Sequence, residues 1–295
     1  MRRYPDAMTE GEGEAAERPP LARAGHGLQC LDVGVAPPGQ PVLARVSGAF
    51  APGRVAAILG PNGAGKSTLL GLLAGLVEPA HGQVLLQDKA VTAHPPEHIA
   101  RWRAVMPQDT AVAFDFTVRE VVDMGRYPHR RQPSSNEALV VDAAMQATGV
   151  AHLAGRSVTT LSGGERARTH LARALAQIWE PLPDVPHRWL LLDEPTAALD
   201  LAHQHQTLRL LRHWAMQHGV GVVVVLHDLN LALRYAHDAV LLAQGSGQFG
   251  TMDQVITPEA VGRVWGVGCT EVRSGDGVRQ LLMAGAAAGS GFQAI

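Results

Sequence analysis

A chain of 295 residues, 46% of them hydrophobic, has room for one large domain or two modest ones and enough apolar material for a core. Its formal charge of −2 and its pI near 6.7 give no electrostatic case for a nucleic-acid partner. Cys30 and Cys269 share no metal or disulfide spacing, which suits a reducing cytosol. The longest aliphatic run, Val220 to Leu226, falls far short of the ~20 residues a membrane helix needs. Arg2-Arg3 is followed by polar and acidic residues, so it is not a secretion signal. Any contact with a membrane is therefore expected to come through a partner.

Residues 1–26 are rich in Glu, Gly, Pro and Ala without hydrophobic periodicity, and the sequence predicts a disordered tail there. Strands are expected over Leu28–Val35 and Val42–Phe50, around the Pro37-Pro38-Gly39 turn, then over Arg54–Leu59, Gln83–Gln87 and Arg103–Met106. Helical spacing follows over 117–125 and 136–148, with Thr117 and Asn136 as N-caps, and over 163–179. Trp189–Leu192 and Val220–Leu226 are continuous apolar runs of buried-strand length, and a helix over 201–218 separates them. That alternation means βαβ units and a parallel sheet. The small-residue end, 284–295, is expected to fray.

One stretch carries chemistry on its face: Gly60-Pro61-Asn62-Gly63-Ala64-Gly65-Lys66-Ser67-Thr68 lies between a predicted strand and a predicted helix. Strand, glycine-rich loop and helix N-terminus together form the context of a phosphate-binding P-loop. The glycines let the backbone curl with its N–H groups inward, and those donors with the helix dipole hold phosphate oxygens. Lys66 reaches the β- and γ-phosphates as a point charge, and the Ser67 hydroxyl is a ligand for Mg²⁺.

Four further stretches follow in order. Met106-Pro107-Gln108 ends a strand on an amide, and Leu161-Ser162-Gly163-Gly164-Glu165 opens a helix. Trp189 to Pro195 is an apolar strand ending in Asp193-Glu194, and Leu226-His227-Asp228 ends a strand on a histidine. Singly, each has an ordinary structural reading: a solvated strand end, a turn and cap, a hydrogen-bonded core histidine.

Together they resemble the ATP-binding cassette (ABC) family of transport ATPases, over about Gly27 to Met283. The resemblance implies an α/β P-loop NTPase: a RecA-like core, an N-terminal antiparallel β-subdomain and a helical subdomain inserted at about 109–160. It implies ATP and Mg²⁺, with Asp193 holding the metal through water and Glu194 acting as the general base. Gln108 becomes the Q-loop residue that touches Mg²⁺ or water, and His227 the switch residue at the γ-phosphate. Ser162, Gly163 and Gly164 bind the γ-phosphate of a second subunit's ATP, and Asp200 in Ala198-Leu199-Asp200 crosses the dimer interface. The implied assembly is a head-to-tail homodimer under a transmembrane permease dimer, fed indirectly by a periplasmic binding protein. It lies on the cytoplasmic face of the inner membrane. The residue chemistry agrees, because phosphoryl transfer needs positioned charge, and one P-loop leaves the far side of the γ-phosphate without donors.

Two departures stand out. The segment 28–48 holds no aromatic residue to stack on adenine, a contact that contributes ~1–3 kcal/mol in other base-binding sites. Val35 is then expected to offer only an apolar wall, and base selectivity to be looser. Ala197 stands where relatives often have Ser, with no consequence expected. The segment from Ala113 to Glu120, followed by Gly125-Arg126-Tyr127-Pro128-His129, looks like importers of iron chelates and cobalamin. Leu175 to Arg188 and Asp200 to Gln206 are most similar to hemin-import ATPases. Ferric-siderophore or cobalamin import, and a soluble ABC ATPase of iron–sulfur assembly, stay as alternatives. Phe114, Phe116 and Tyr127 are candidates for the permease-docking groove. His203 and His205, two apart on a helix, point to different faces, which argues against a shared haem.

Overall fold

The computed structural model describes residues 27–37, 39–108, 115–183, 185, 187–243 and 245–284. The expected tail 1–26, all but the first residue of the expected tail 284–295, and Phe114 lie outside that set. The chain runs β1 (Leu28–Val35), β2 (Ala44–Phe50), β3 (Val55–Leu59), α1 (Lys66–Leu73), β4 (Gln83–Leu86) and β5 (Lys89–Ala90). It continues with α2 (Pro96–Trp102), β6 (Arg103–Met106), α3 (Val118–Asp123), α4 (Glu137–Ala147), α5 (Gly163–Gln177) and β7 (Trp189–Asp193). Next come α6 (Leu201–His218), β8 (Gly221–Val225), α7 (Leu229–Tyr235), β9 (Asp238–Ala243) and β10 (Ser246–Thr251). The last elements are α8 (Met252–Val255), α9 (Pro258–Trp265), β11 (Cys269–Arg273) and β12 (Arg279–Met283).

Among the described residues ten strands form one sheet in the order β5-β4-β1-β2-β10-β9-β3-β8-β7-β6, and β11 and β12 form a separate hairpin. One half is antiparallel, with β1 between β2 and β4. In the other half β9, β3, β8, β7 and β6 all run parallel. A single parallel pairing, Gly247 with Val46, joins β10 to β2 and so the halves.

The continuous apolar runs explain the parallel half. β3, β7 and β8 bury every residue, as strands covered on both faces must. Val55, Ala57 and Leu59 face a cluster built with α5, α6 and α7, while Ala56 and Ile58 face one built with α1 and the antiparallel strands. A third cluster joins Val118, Val121, Val140, Val141 and Met145 of α3 and α4 to Ala172 and Ala176 of α5, and it is the core of the helical subdomain.

Local chemistry sets the boundaries. Thr117 caps α3 in a reciprocal pair with Glu120, as its position predicts. Asn136 stands at the N-cap of α4 as expected, but its side chain makes no cap hydrogen bond; Glu137 Oε1 accepts from Ser134 N at 2.7 Å, while Arg126 holds the same carboxylate. The helix expected over 117–125 ends at Asp123 and tightens into a 3₁₀ turn over Met124–His129 that contains Pro128. Phe116 packs half-buried on the subdomain core. Tyr127 is 62% exposed, with the Arg130 guanidinium 3.9 Å from its ring centre. Among the described residues no helix is long and apolar enough to cross a membrane.

Candidate nucleotide site

Four parallel strands converge at their carboxyl ends, the edge of an open α/β sheet where ligands bind. β3 leads into Gly60, β6 toward Gln108, β7 into Asp193-Glu194, and β8 toward His227. Between them lies a cleft of about 580 Å³. Asn62, Gly63, Gly65, Lys66, Ser67 and Thr68 line one side of it. Gln108, Glu194 and His227 line the other.

Steric limits fix the loop. Gly60 has φ 151°, and a Cβ there would lie 2.4 Å from Leu242 O. Gly65 has φ 92°, and a Cβ there would lie 2.8 Å from Val35 Cγ1. A side chain at either position would force the loop off the sheet edge. Gly65 stands at the N-cap of α1 with no side-chain cap, and the first turn holds no acidic residue, so the helix terminus is open to an anion. Lys66 is 7% exposed, and its Nζ donates to Gly60 O and Pro61 O, both at 3.1 Å. Burial lowers its pKa from the ordinary value, while the Glu194 and Asp193 carboxylates pull it the other way.

Glu194 is held from two sides. Gln108 Nε2 donates to its Oε2 at 3.0 Å, and His227 Nε2 lies 2.5 Å from its Oε1. Its backbone sits in the left-handed region at φ 49°, an uncommon and costly conformation for a non-glycine residue. Asp193 is 7% exposed, and its buried Oδ1 has no hydrogen-bond partner among the described residues. Burial raises the Asp193 carboxyl above its ordinary range, and a hydrogen bond from Ser67 opposes that rise. A buried carboxylate oxygen without a partner, beside a hydroxyl, is a hard oxygen donor set that fits Mg²⁺.

Not all expected residues gather here. Ser162, Gly163, Gly164 and Asp200 do not line this cleft. Ser162 caps α5 reciprocally with Glu165, and Gly163 and Gly164 lie against Ala198. Asp200 caps α6 and also binds His203 Nδ1 at 2.9 Å, whereas His205 Nδ1 meets the Tyr235 hydroxyl at 2.7 Å. Val35 is fully buried behind Gly65 instead of forming a wall of the cleft. The apolar lining is Pro37 and Leu43, which the sequence reading missed. The signal for them was the proline-rich turn that Pro37 opens and the apolar Val42-Leu43 that follows it.

One family model, ABC transporter, matches residues 43–197, from the approach to β2 through the P-loop, Gln108, Ser162-Gly163-Gly164 and Asp193-Glu194. The chain belongs to the ABC transporter family. It is 50% identical to the hemin import ATP-binding protein HmuV of Gloeobacter violaceus, over 87% of this chain and 89% of that one. Its fold superposes with TM-score 0.72 on an inward-facing ABC transporter described as metal-chelate type, at 28% identity, covering 88% of this chain and 97% of that one. A dimeric bacterial ABC transporter cassette matches with TM-score 0.65 at 25% identity, covering 76% of this chain and 98% of that one. As an ABC cassette the chain binds ATP.

Proposed function

We propose that this protein is the ATP-hydrolysing subunit of an ABC importer that takes up hemin through a separate membrane permease. The observation that carries the hydrolytic reading is the Glu194 carboxylate, fixed by Gln108 and His227 across the cleft from Lys66. Lys66 and the open terminus of α1 hold the phosphates. Asp193 and Ser67 are the residues that would hold Mg²⁺, which supplies charge neutralisation when bound. Glu194 takes a proton from a water whose oxygen bonds to the γ-phosphorus, and the bond from that phosphorus to the bridging oxygen breaks, leaving ADP and phosphate. Gln108 and His227 hold the base in line, so little motion is needed at the moment of reaction.

The cleft carries phosphate donors from one side only, since Ser162-Gly163-Gly164 lies elsewhere on the same chain. A head-to-tail homodimer supplies the missing side, and the match to a dimeric cassette supports it. The subunit is peripheral, on the cytoplasmic face of the inner membrane under a permease dimer, with a periplasmic binding protein acting indirectly. Hemin as cargo rests on the identity to hemin import proteins. The metal-chelate transporter keeps ferric siderophores and cobalamin as the second reading.

Glu194→Gln tests the core of this. It should bind ATP like the parent, lose ~10²–10⁴-fold in hydrolysis, and elute as a dimer with ATP and Mg²⁺. A mutant that stays active, or one that stays monomeric, would sink the assignment. Uptake of hemin against a ferric siderophore and cobalamin, in vesicles carrying the assembled transporter, decides the cargo.

A further inference from the structure

His227 is held in place by a helix with little stability of its own. α7 is seven residues long, well below the ~12–15 an isolated helix needs. Asp228 caps it, its Oδ1 accepting from Asn230 N at 2.7 Å and Leu231 N at 2.9 Å. The element that fixes its first turn is the hairpin of β11 and β12, outside the matched stretch 43–197.

Asn230 binds that hairpin with both ends of its amide. Nδ2 donates to Leu281 O at 3.1 Å, and Oδ1 accepts from Leu281 N at 2.8 Å. Among the described residues β12 pairs with a strand, β11, through one edge only, so the backbone groups of its other edge need partners, and the side-chain amide serves as a substitute strand. Leu281 is 1% exposed and shares an apolar cluster with Leu229 and Leu231. At the far end of α7, Arg234 Nη1 donates to Asp276 Oδ2 at 2.5 Å and Nη2 to Ser274 Oγ at 3.4 Å. The hairpin thus holds the helix at two points, the first three residues from His227, while α6 holds only its far end, through His205 to the Tyr235 hydroxyl and Arg212 to Arg234 O.

We infer that Asn230 is a positioning residue of the ATPase: by locking α7 to the C-terminal hairpin it holds the His227 ring against Glu194. This rests on the reading of His227 as a nucleotide-site residue. It gives the hairpin a part in hydrolysis, although no hairpin residue lines the cleft.

The test uses the full chain and four variants: Asn230→Ala, Asn230→Asp, Arg234→Ala and His227→Ala. Asn230→Ala should lower kcat ~10-fold, as a sub-ångström misplacement would, with the KM for ATP within about twofold. The imidazole NMR signal of His227, identified by its loss in His227→Ala, should move in nucleotide-free Asn230→Ala. That of His94, which bonds Leu86 O on the antiparallel half, should stay. Asn230→Asp keeps the size and the acceptor for Leu281 N, so it serves if the alanine variant fails to fold; it should shift the same signal. Arg234→Ala should do so more weakly. An unmoved His227 signal in the folded variants overturns the inference, as does an unchanged kcat. If His227→Ala itself hydrolyses ATP like the parent, the reading of the site fails instead.

Discussion

The two ends of the same strands are built on opposite terms. At the carboxyl ends of β3 and β7, groups are strained or short of partners. Glu194 sits at φ 49°, Asp193 Oδ1 is buried without a partner among the described residues, and α1 begins with no side-chain cap. At the amino ends, charges are answered at close range. Arg54 grips Asp238 with two bonds of 2.6 and 2.7 Å, and Val55 N donates to His237 Nδ1 at 2.9 Å. Just before β7, Arg188 gives its guanidinium to the carbonyls of Ile178, Trp179 and His218. A shared core lets one end hold open, unsatisfied chemistry while the other holds the layers together. Substitutions at the two ends should therefore separate function from stability.

The largest separation is expected at Lys66. Lys66→Ala removes charge-assisted bonds to phosphate worth ~1.5–3 kcal/mol each, so ATP affinity should fall roughly 100-fold or more. The nucleotide-free chain should melt at or above the parent temperature, because the buried ammonium is then gone. Titration with a fluorescent ATP analogue and a melt without nucleotide check both halves. A large drop in melting temperature would mean that the loop end also carries stability. Arg188→Leu is the converse. It leaves three carbonyls without their donor, two of them only part-buried, at about 1 kcal/mol each, the low end for buried groups, and at ~2–4 °C per kcal/mol the melting temperature should fall by roughly 6–12 °C. ATP affinity measured in the cold should match the parent. Weakened affinity there would show that the two ends are not independent.

Much of the loaded end was legible because phosphate chemistry demands residues at fixed spacing along the chain. Gly60 to Thr68, Gln108, Asp193-Glu194 and His227 each follow an apolar run, and the sheet brings those ends together. What the sequence hid depended on long-range placement. Val35 reads as a wall of the base site, yet it packs behind Gly65, and Pro37 and Leu43 line the cleft. The bulge in β1 between Cys30 and Val33 is one reason, because it changes which residues face the site. The whole end of the chain was missed as well. β9 is as apolar as β8, but β10 is rich in Gly and polar residues, and β11 and β12 form a half-exposed hairpin. Such strands carry no alternation that a periodicity argument can use. The anchoring of α7 by Asn230 could not be read at all, since its partner is a backbone 51 residues away.

The smallest effect belongs to His237, and it sharpens the comparison by way of pH. Burial first, then the nearby Arg212 and Arg54 charges, push its pKa from 6.5 down to about 4, against the pull of Asp238. The folded protein therefore keeps the ring neutral, ready to accept from Val55 N at 2.9 Å. The unfolded chain binds a proton there near the ordinary value, so it holds more protons than the folded state across this window. Stability from this group is then fully present above about pH 6.5 and is lost as the pH falls toward about 4. At pH 5 the loss relative to pH 8 should be about 2 kcal/mol. His237→Gln cannot titrate, so its acid limb should be flatter by that amount. Its ATP affinity at pH 7.5 should be unchanged, because the residue sits at the far end of the strands from the cleft. Denaturant midpoints measured between pH 8 and pH 5 decide the matter. Parallel curves for parent and variant would mean that His237 plays no part in acid sensitivity. A flatter curve with altered ATP affinity would mean that the amino end reaches the site after all.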